Sequence, residues 1–312
     1  CCWPALRVVP ILRTFCRGWT MRVAVTGANG HLGRRLLNRL AAAGHAPIAI
    51  VRSESAAGQV RSAASEAAVH VTSYADTDGL AQALAGADAA VHLVGIIREM
   101  PGTSFEDAHV AATQALLSAA RTADLRHIIY YSLLGADARS RNRCLATRGV
   151  AEDLFIQSGI DTTVFRVGMV LGEGDYATAS LAARAVRSVN FAWRAGSLEQ
   201  PIDAANLIEA TIHRLESPLP GVHDIAGPES MPRAELIRRV AGLRGRSTRV
   251  VSLPIGVALG IADLLGWLMA SPPVSRAMLE VLDHDDQVDV ARVEQALGIT
   301  LTPVADTLER VI

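Results

Sequence analysis

From position 22 onward, short apolar runs alternate with stretches whose apolar residues recur at helical spacing. Residues 22–25 predict a first strand, 26–33 a glycine-rich turn, and Leu36, Leu37 and Leu40 the inner face of a helix that Gly44 ends. Further strands are expected at 48–51, 69–71, 90–94, 127–131 and 162–165, with helices at 80–84, 105–122 and 146–158 between the later ones. Parallel strands need helical crossovers. The alternation therefore predicts an α/β chain with a doubly wound parallel sheet and a ligand crevice at the carboxyl ends of its strands.

After about residue 170 the rhythm loosens. Helical spacing runs over 177–189 and 205–215, and residues 222–225 predict a late strand that returns to the sheet. Further helical spacing covers 231–241, 253–269, 274–282 and 288–297, with no internal repeat. This divides the chain into a leader at 1–20, a Rossmann-type core at 21–175 with a return strand near 222–226, and a smaller, mostly helical lobe at 176–312 lying over the strand ends.

The leader carries Arg7, Arg13 and Arg17 and no acid. It reads as an extension upstream of a natural start at Met21, its alternative being a targeting segment or membrane-surface arm. Residues 250–270 are nearly all apolar, yet Asp263 and the glycines at 256, 260 and 266 argue against a spanning helix. Packing within the second lobe is expected there. The alternatives are a wall of an apolar substrate pocket, or a contact with a membrane surface aided by Arg244, Arg246 and Arg249.

The chain of 312 residues is 50% apolar with a net charge of −1, which excludes a disordered chain and a strongly basic nucleic-acid binder. Its cysteines, Cys1, Cys2, Cys16 and Cys144, offer neither a paired framework nor a zinc knuckle. A reducing, cytoplasmic setting is expected. His31, His92 and His127 stand apart at spacings that suit no clustered ligand set, so no metal is expected. All thirty basic residues are arginine, which removes every mechanism that needs lysine.

The strongest chemical signal is Thr26-Gly27-Ala28-Asn29-Gly30-His31-Leu32-Gly33 between the first strand and its helix. In the spacing G-x-x-G-x-x-G, Gly27 and Gly30 permit a tight turn and close approach to a pyrophosphate. Gly33 lets the helix pack on the strand, whose end meets an anion with free N–H groups. A dinucleotide is the expected ligand. The second strand ends Val51-Arg52-Ser53, with no acid for a ribose diol. Arg52 and Ser53 suit a 2′-phosphate, so NADP(H) is expected over NAD(H), with a solvated surface arginine as the alternative. Arg34 and Arg35 are candidates to add charge at the same corner, or to face water.

These residues resemble the short-chain dehydrogenase/reductase superfamily in its extended or atypical branch, over nearly all of 21–312. The resemblance rests on the glycine turn, Ala75-Asp76-Thr77-Asp78, the strand ending Leu93-Val94-Gly95-Ile96, Ser132, the Phe165-Arg166-Val167-Gly168 loop and Gln200-Pro201-Ile202. Within the branch, residues 93–96 are most similar to relatives of the nucleotide-binding accessory subunit of respiratory complex I. The resemblance implies bound NADP(H), Asp76 and Thr77 near the adenine, and Val94 and Gly95 along the cofactor. It also implies dimerisation through the helices at 105–122 and 146–158, or an accessory-subunit role.

Enzymes of this superfamily use Tyr-x-x-x-Lys, with the tyrosine as acid/base and a serine on the substrate oxygen. The matching place here reads Cys144-Leu145-Ala146-Thr147-Arg148, just ahead of a helix. Arg148 supplies a charge for ribose hydroxyls but does not readily release a proton. Cys144 either fills the tyrosine's space or, acidified below its free value of about 8.5 by Arg148, shuttles a proton. Of Tyr130 and Tyr131, one is expected to point away and the other to pack. Tyr176 is a further candidate from the loop after the sixth strand, and Ser132 either holds a carbonyl or caps its strand. Two functions follow. One is a dinucleotide-binding sensor, assembly factor or accessory subunit without ordinary catalysis; the other is an NAD(P)-dependent oxidoreductase or sugar-nucleotide-type epimerase/dehydratase using Ser132 with Cys144 or Tyr176 as acid/base, and an apolar small molecule is a candidate substrate.

Overall fold

The computed structural model describes residues 20–269, 272, 274–282 and 284–312. The expectation for the leader lies outside these residues, apart from Thr20.

The first half of the chain winds as β1 (Arg22–Thr26), α1 (His31–Ala42), β2 (Ala46–Val51), α2 (Glu54–Ala63), β3 (Ala68–Val71), α3 (Thr77–Leu84) and β4 (Ala89–His92). A π-helical turn, Glu106–Ala111, leads into α4 (Ala112–Thr122), followed by β5 (His127–Leu133), α5 (Arg143–Ile156) and β6 (Asp161–Val167). The second half comprises β7 (Val170–Leu171), α6 (Tyr176–Ala185), β8 (Val189–Trp193), β9 (Leu198–Glu199), β10 (Ile202–Asp203), α7 (Ala204–Glu216), β11 (Gly221–Ile225) and β12 (Met231–Pro232). It ends with α8 (Arg233–Leu243), β13 (Arg249–Leu253), α9 (Ile255–Leu268), α10 (Arg276–Leu282), α11 (Val290–Leu297) and α12 (Val304–Val311).

One seven-stranded sheet, ordered β11-β6-β5-β4-β1-β2-β3, organises the core, and every pair in it is parallel. Its central strands are apolar on both faces because helices cover both. On one face Val25, Leu36, Leu37, Leu40, Phe165 and Leu207 pack together; on the other, Leu80, Leu84, Leu116, Tyr130 and Phe155 do. The strand order reverses where β1 lies between β2 and β4, and a crevice opens at such a switch point beyond the strand ends.

The later lobe departs from the helical expectation in one respect. Beside its helices it builds two-stranded pairs: β10 with β7, β12 with β9, and β13 with β8. The helix expected over 177–189 stops at Ala185, and Val189, Phe191 and Trp193 alternate along a strand instead. The Asn190 amide fixes that break by donating to the Arg184 carbonyl at 3.0 Å. Helices α2 and α12 arise where alanine or mixed composition hid the periodicity. Only one side of α9 packs inside its lobe: Ala258 and Ala262 are buried against Trp193 and Leu279, while Val257, Leu264 and Trp267 face outward. Among the described residues, no helix is long and apolar enough to cross a membrane.

Candidate functional site

β1 ends in the glycine turn at the switch point. Gly27 holds φ +70°, a conformation that costs a side-chain-bearing residue strain, and a Cβ there would lie 3.1 Å from the Leu93 carbonyl carbon. A Cβ on Gly33 would meet the Gly27 and Ala28 carbonyl oxygens at 2.7 Å, so only glycine lets α1 approach its own turn this closely. No side chain caps α1. The first-turn N–H groups of His31, Leu32 and Gly33, which a helix cannot pair internally, therefore face the crevice mouth. The grip is narrower than the sequence implied. The Gly27 N–H donates to the Tyr74 hydroxyl at 2.9 Å, and the Gly30 N–H to the Gly27 carbonyl at 3.0 Å. The Thr26 side chain is also absent from the cavity: its hydroxyl bonds His92 Nδ1 at 2.7 Å in the buried interior.

Two adjoining cavities share Gly27, Gly30 and Leu93 and form one groove across the strand ends. The arm of about 360 Å³ takes in Asn29, Arg52, Ser73, Tyr74, Ala75, Val94 and Gly95. Arg52 lies 5.9 Å from the Tyr74 ring centroid, and Tyr74 in turn donates to the Ile50 carbonyl at 3.1 Å. Ser53, Asp76 and Thr77 do not line this arm. Ser53 Oγ caps α2 by accepting the Ala56 N–H at 3.2 Å. Asp76 caps α3 from Oδ1 and takes the Thr72 hydroxyl on Oδ2, and Thr77 begins the helix it caps. Tyr74, which sequence reasoning missed, lines this arm. The only signal was an aromatic residue three positions beyond the third strand.

The other arm, about 370 Å³, is lined by His31, Leu32, Gly33, Arg35, Tyr131, Ser132, Arg148, Asp175 and Tyr176 among others. Arg35 belongs here and not beside Arg52, because its guanidinium donates to the Glu173 carbonyl at 2.6 Å. Ser132 is buried, and its Oγ makes no hydrogen bond of normal geometry. Asp175 Oδ2 is likewise unpaired, while Oδ1 caps α6 through the Thr178 N–H at 2.7 Å. Tyr176 stands exposed at the mouth.

Cys144 and Arg148 lie one turn apart inside α5, not ahead of it. Arg148 Nη1 donates to the Tyr130 hydroxyl and the Tyr131 carbonyl, each at 2.9 Å, and to the Val94 carbonyl at 3.4 Å. The guanidinium thus ties the segment after β4 to β5 from beneath the groove, and a Cβ on Gly95 would collide with it. The Cys144 thiol is buried and donates to the Ile96 carbonyl at 3.6 Å. Burial pushes it up to about 11, outweighing the attraction of Arg148. Desolvation thus works against an acidified thiol. Both tyrosines of β5 pack: Tyr130 in the core beside His92 and Phe155, Tyr131 on the opposite face with its hydroxyl 2.6 Å from that of Thr211. Burial, with Arg148 adding repulsion, pushes both His92 and His109 down to about 3. The Ile96 N–H donates to His109 Nε2 at 3.2 Å, and Nδ1 lies 2.8 Å from the Thr147 hydroxyl.

A third cavity, about 230 Å³, adjoins the Tyr176 side of the groove and is lined mainly by apolar groups, including Met169, Leu181, Trp193, Leu236, Ile237 and Ile255. Half-buried Arg233 and buried Glu199, joined at 2.6 Å, form part of its wall.

The groove fits a dinucleotide on its own terms: a glycine cradle that a Cβ would fill, uncapped helix amides, and an unengaged buried hydroxyl. A family model described as NAD(P)H-binding matches residues 27–188. A ketoreductase from Stigmatella aurantiaca, acting on a farnesylated dihydroquinoline oxide, is 28% identical over 62% of this chain and 61% of its own length. This chain thus spans less than two thirds of that relative. The 40 kDa mitochondrial subunit of NADH-ubiquinone oxidoreductase from Neurospora crassa is 23% identical over 90% of this chain and 76% of its own length. Among solved structures, an NADPH-dependent quinone oxidoreductase from Escherichia coli in complex with NADPH superposes with a TM-score of 0.72. It is 20% identical and covers 92% of this chain and 99% of the other.

Proposed function

The chain belongs to the NAD(P)H-binding family, and from that premise we propose that it is an NADP(H)-binding protein of the atypical short-chain dehydrogenase/reductase type without the ordinary tyrosine–lysine catalysis. Its role is that of a sensor, assembly factor or accessory subunit. The observation that carries the reading is the state of the Cys144/Arg148 pair. The thiol is held protonated and bonded away to the Ile96 carbonyl, and Arg148 turns Nη1 to the Tyr130 hydroxyl and two backbone carbonyls while its Nε stays buried without a partner. Neither group can pass a proton at neutral pH. The preference for NADP(H) rests on Arg52, which lines the groove at the end of β2 where an acid would serve NAD(H).

Calorimetric titration of NADPH and NADH tests this. NADPH is expected to bind about tenfold or more tightly, the worth of a charge-assisted contact to a phosphate, and Arg52→Asp is expected to erase the difference. Equal affinities would remove the NADP(H) assignment. Turnover of carbonyl, quinone or sugar-nucleotide substrates that Cys144→Ala abolishes would remove the non-catalytic one.

A second reading is favoured by Tyr176, which lines both the groove and the apolar cavity beside it, near the unengaged Ser132 hydroxyl. In that reading the protein reduces an apolar ketone or quinone, with Ser132 donating to the carbonyl oxygen and Tyr176 supplying the proton. The farnesylated and quinone substrates named for its relatives are of this class. NADPH consumption with a short-chain quinone, lost in both Ser132→Ala and Tyr176→Phe, would establish it over the first.

A further inference from the structure

α9 is apolar on both sides. Toward the lobe it packs Ala258 and Ala262 against Trp193 and Leu279. Away from the lobe Val257, Ile261, Leu264 and Leu268 recur at spacings of four, three and four and are exposed, with Trp267 82% exposed beside them. A helix lying on a domain in water carries polar residues on that outer stripe. The sole charge on α9, Asp263, is neutralised by Arg276, whose Nε donates to it at 2.8 Å.

The apolar surface continues onto the sheet that precedes the helix. β8 and β13 pair in parallel register, with Val189 beside Arg249, Phe191 beside Val251 and Trp193 beside Leu253. Residues in register share a face, and alternate residues share it along each strand. The opposite face, with Ala192 and Val250, packs into the lobe. The outward face carries Val189 and Phe191, the latter 59% exposed, and runs into α9 at Trp193.

The charge around this surface is mainly positive. Residues 176–198 and 236–262, which contain β8, β13 and most of α9, hold eight arginines and no acid, and although Arg194, Arg238 and Arg239 pair with Asp285, Glu235 and Glu229 outside these segments, arginine remains in excess within a chain of net charge −1. Arg246 reaches across to the Val186 carbonyl at 3.3 Å, and Arg249 stands in register with Val189, so both border the exposed apolar residues. An exposed apolar stripe edged by Arg246 and Arg249 is complementary to a bilayer with anionic headgroups. The apolar residues enter the acyl boundary and the guanidinium groups meet phosphate.

We propose that α9, with the outer face of β8 and β13, docks the protein on the surface of an anionic lipid bilayer. The inference is independent of whether the groove is catalytic. It is tested by co-sedimentation of the full chain with vesicles of phosphatidylcholine alone and with roughly a quarter phosphatidylglycerol. Binding is expected only to the anionic vesicles, to fall about fivefold for each arginine reversed in Arg246→Glu and Arg249→Glu, and to weaken with salt. Leu264→Glu with Trp267→Glu is expected to abolish it while leaving NADPH affinity and the unfolding midpoint unchanged. Should that variant fail to fold, brominated lipid in the same vesicles is expected to quench the wild-type tryptophan fluorescence more than that of Trp267→Phe. Absence of vesicle binding, binding indifferent to these substitutions, or a lipid-free dimer that Leu264→Glu dissociates and that ignores vesicles would each overturn the proposal, the last in favour of a second copy.

Discussion

The Tyr130 hydroxyl accepts a hydrogen bond from Arg148 at 2.9 Å in the buried space between β5 and α5. The position where the resemblance expects a catalytic cation thus holds a structural one. It turns inward to a tyrosine of the neighbouring strand, and burial holds that tyrosine's acidity below the ordinary phenol's. Tyr130→Phe is expected to cost about 1–2 kcal/mol and to leave dinucleotide affinity unchanged. Arg148→Met, which strands the hydroxyl and two carbonyls, is expected to cost on the order of 3 kcal/mol. Urea denaturation of both single variants and the double variant measures the coupling, and additive losses would show that the bond carries no weight.

Gly33 is the tightest point of the glycine turn. With two backbone oxygens 2.7 Å from the place its Cβ would take, Gly33→Ala forces α1 away from β1. The expected result is about 1–3 kcal/mol of lost stability together with at least tenfold weaker binding of NADPH, since the helix amides move with the helix. Calorimetry and thermal unfolding read the two effects separately. A variant that unfolds earlier yet binds as before would remove the α1 amides from the site.

Much of this was legible beforehand because the core obeys simple periods. The strands that became β1, β2, β4, β5 and β6 are apolar on both faces, and the turn at residues 26–33 has few uses other than a close backbone approach. Side-chain engagement was not legible. Asp76 and Ser53 have the right chemistry for a nucleotide, but each is consumed locally as a helix cap, a competition that sequence does not resolve. The Cys144 thiol looked open to acidification by Arg148 until the burial of both was known, and desolvation then reversed the sign. Strands β8 and β13 escaped because neither is recognisable until the other lies beside it.

Cys144 gives a direct chemical check. With its thiol held up at about 11, about one molecule in a thousand carries the thiolate at pH 8, and the sulfur is also screened from reagent. Peptide mapping after brief iodoacetamide treatment of the folded protein is expected to show the Cys144 peptide unmodified, and the same peptide fully labelled in denaturant. Rapid labelling in the native state would restore the proton-shuttling reading of Cys144.

Burial of His92 and His109 works against the fold in acid. Both are buried beside Arg148 and held down to about 3, against about 6.5 for a histidine in the unfolded chain. Between these values the unfolded chain binds protons that the native state refuses. Their contribution to stability is therefore intact above about pH 6.5 and is lost progressively as the pH falls toward 3, by about 1.4 kcal/mol per pH unit for each histidine. Unfolding free energies from pH 7.5 to 4.5 are expected to fall on acidification, more gently in His109→Gln, which removes one of the two titrating rings. A ring resonance of His92 that titrates near pH 6 in the folded protein would show that Arg148 and burial do not act on it as described.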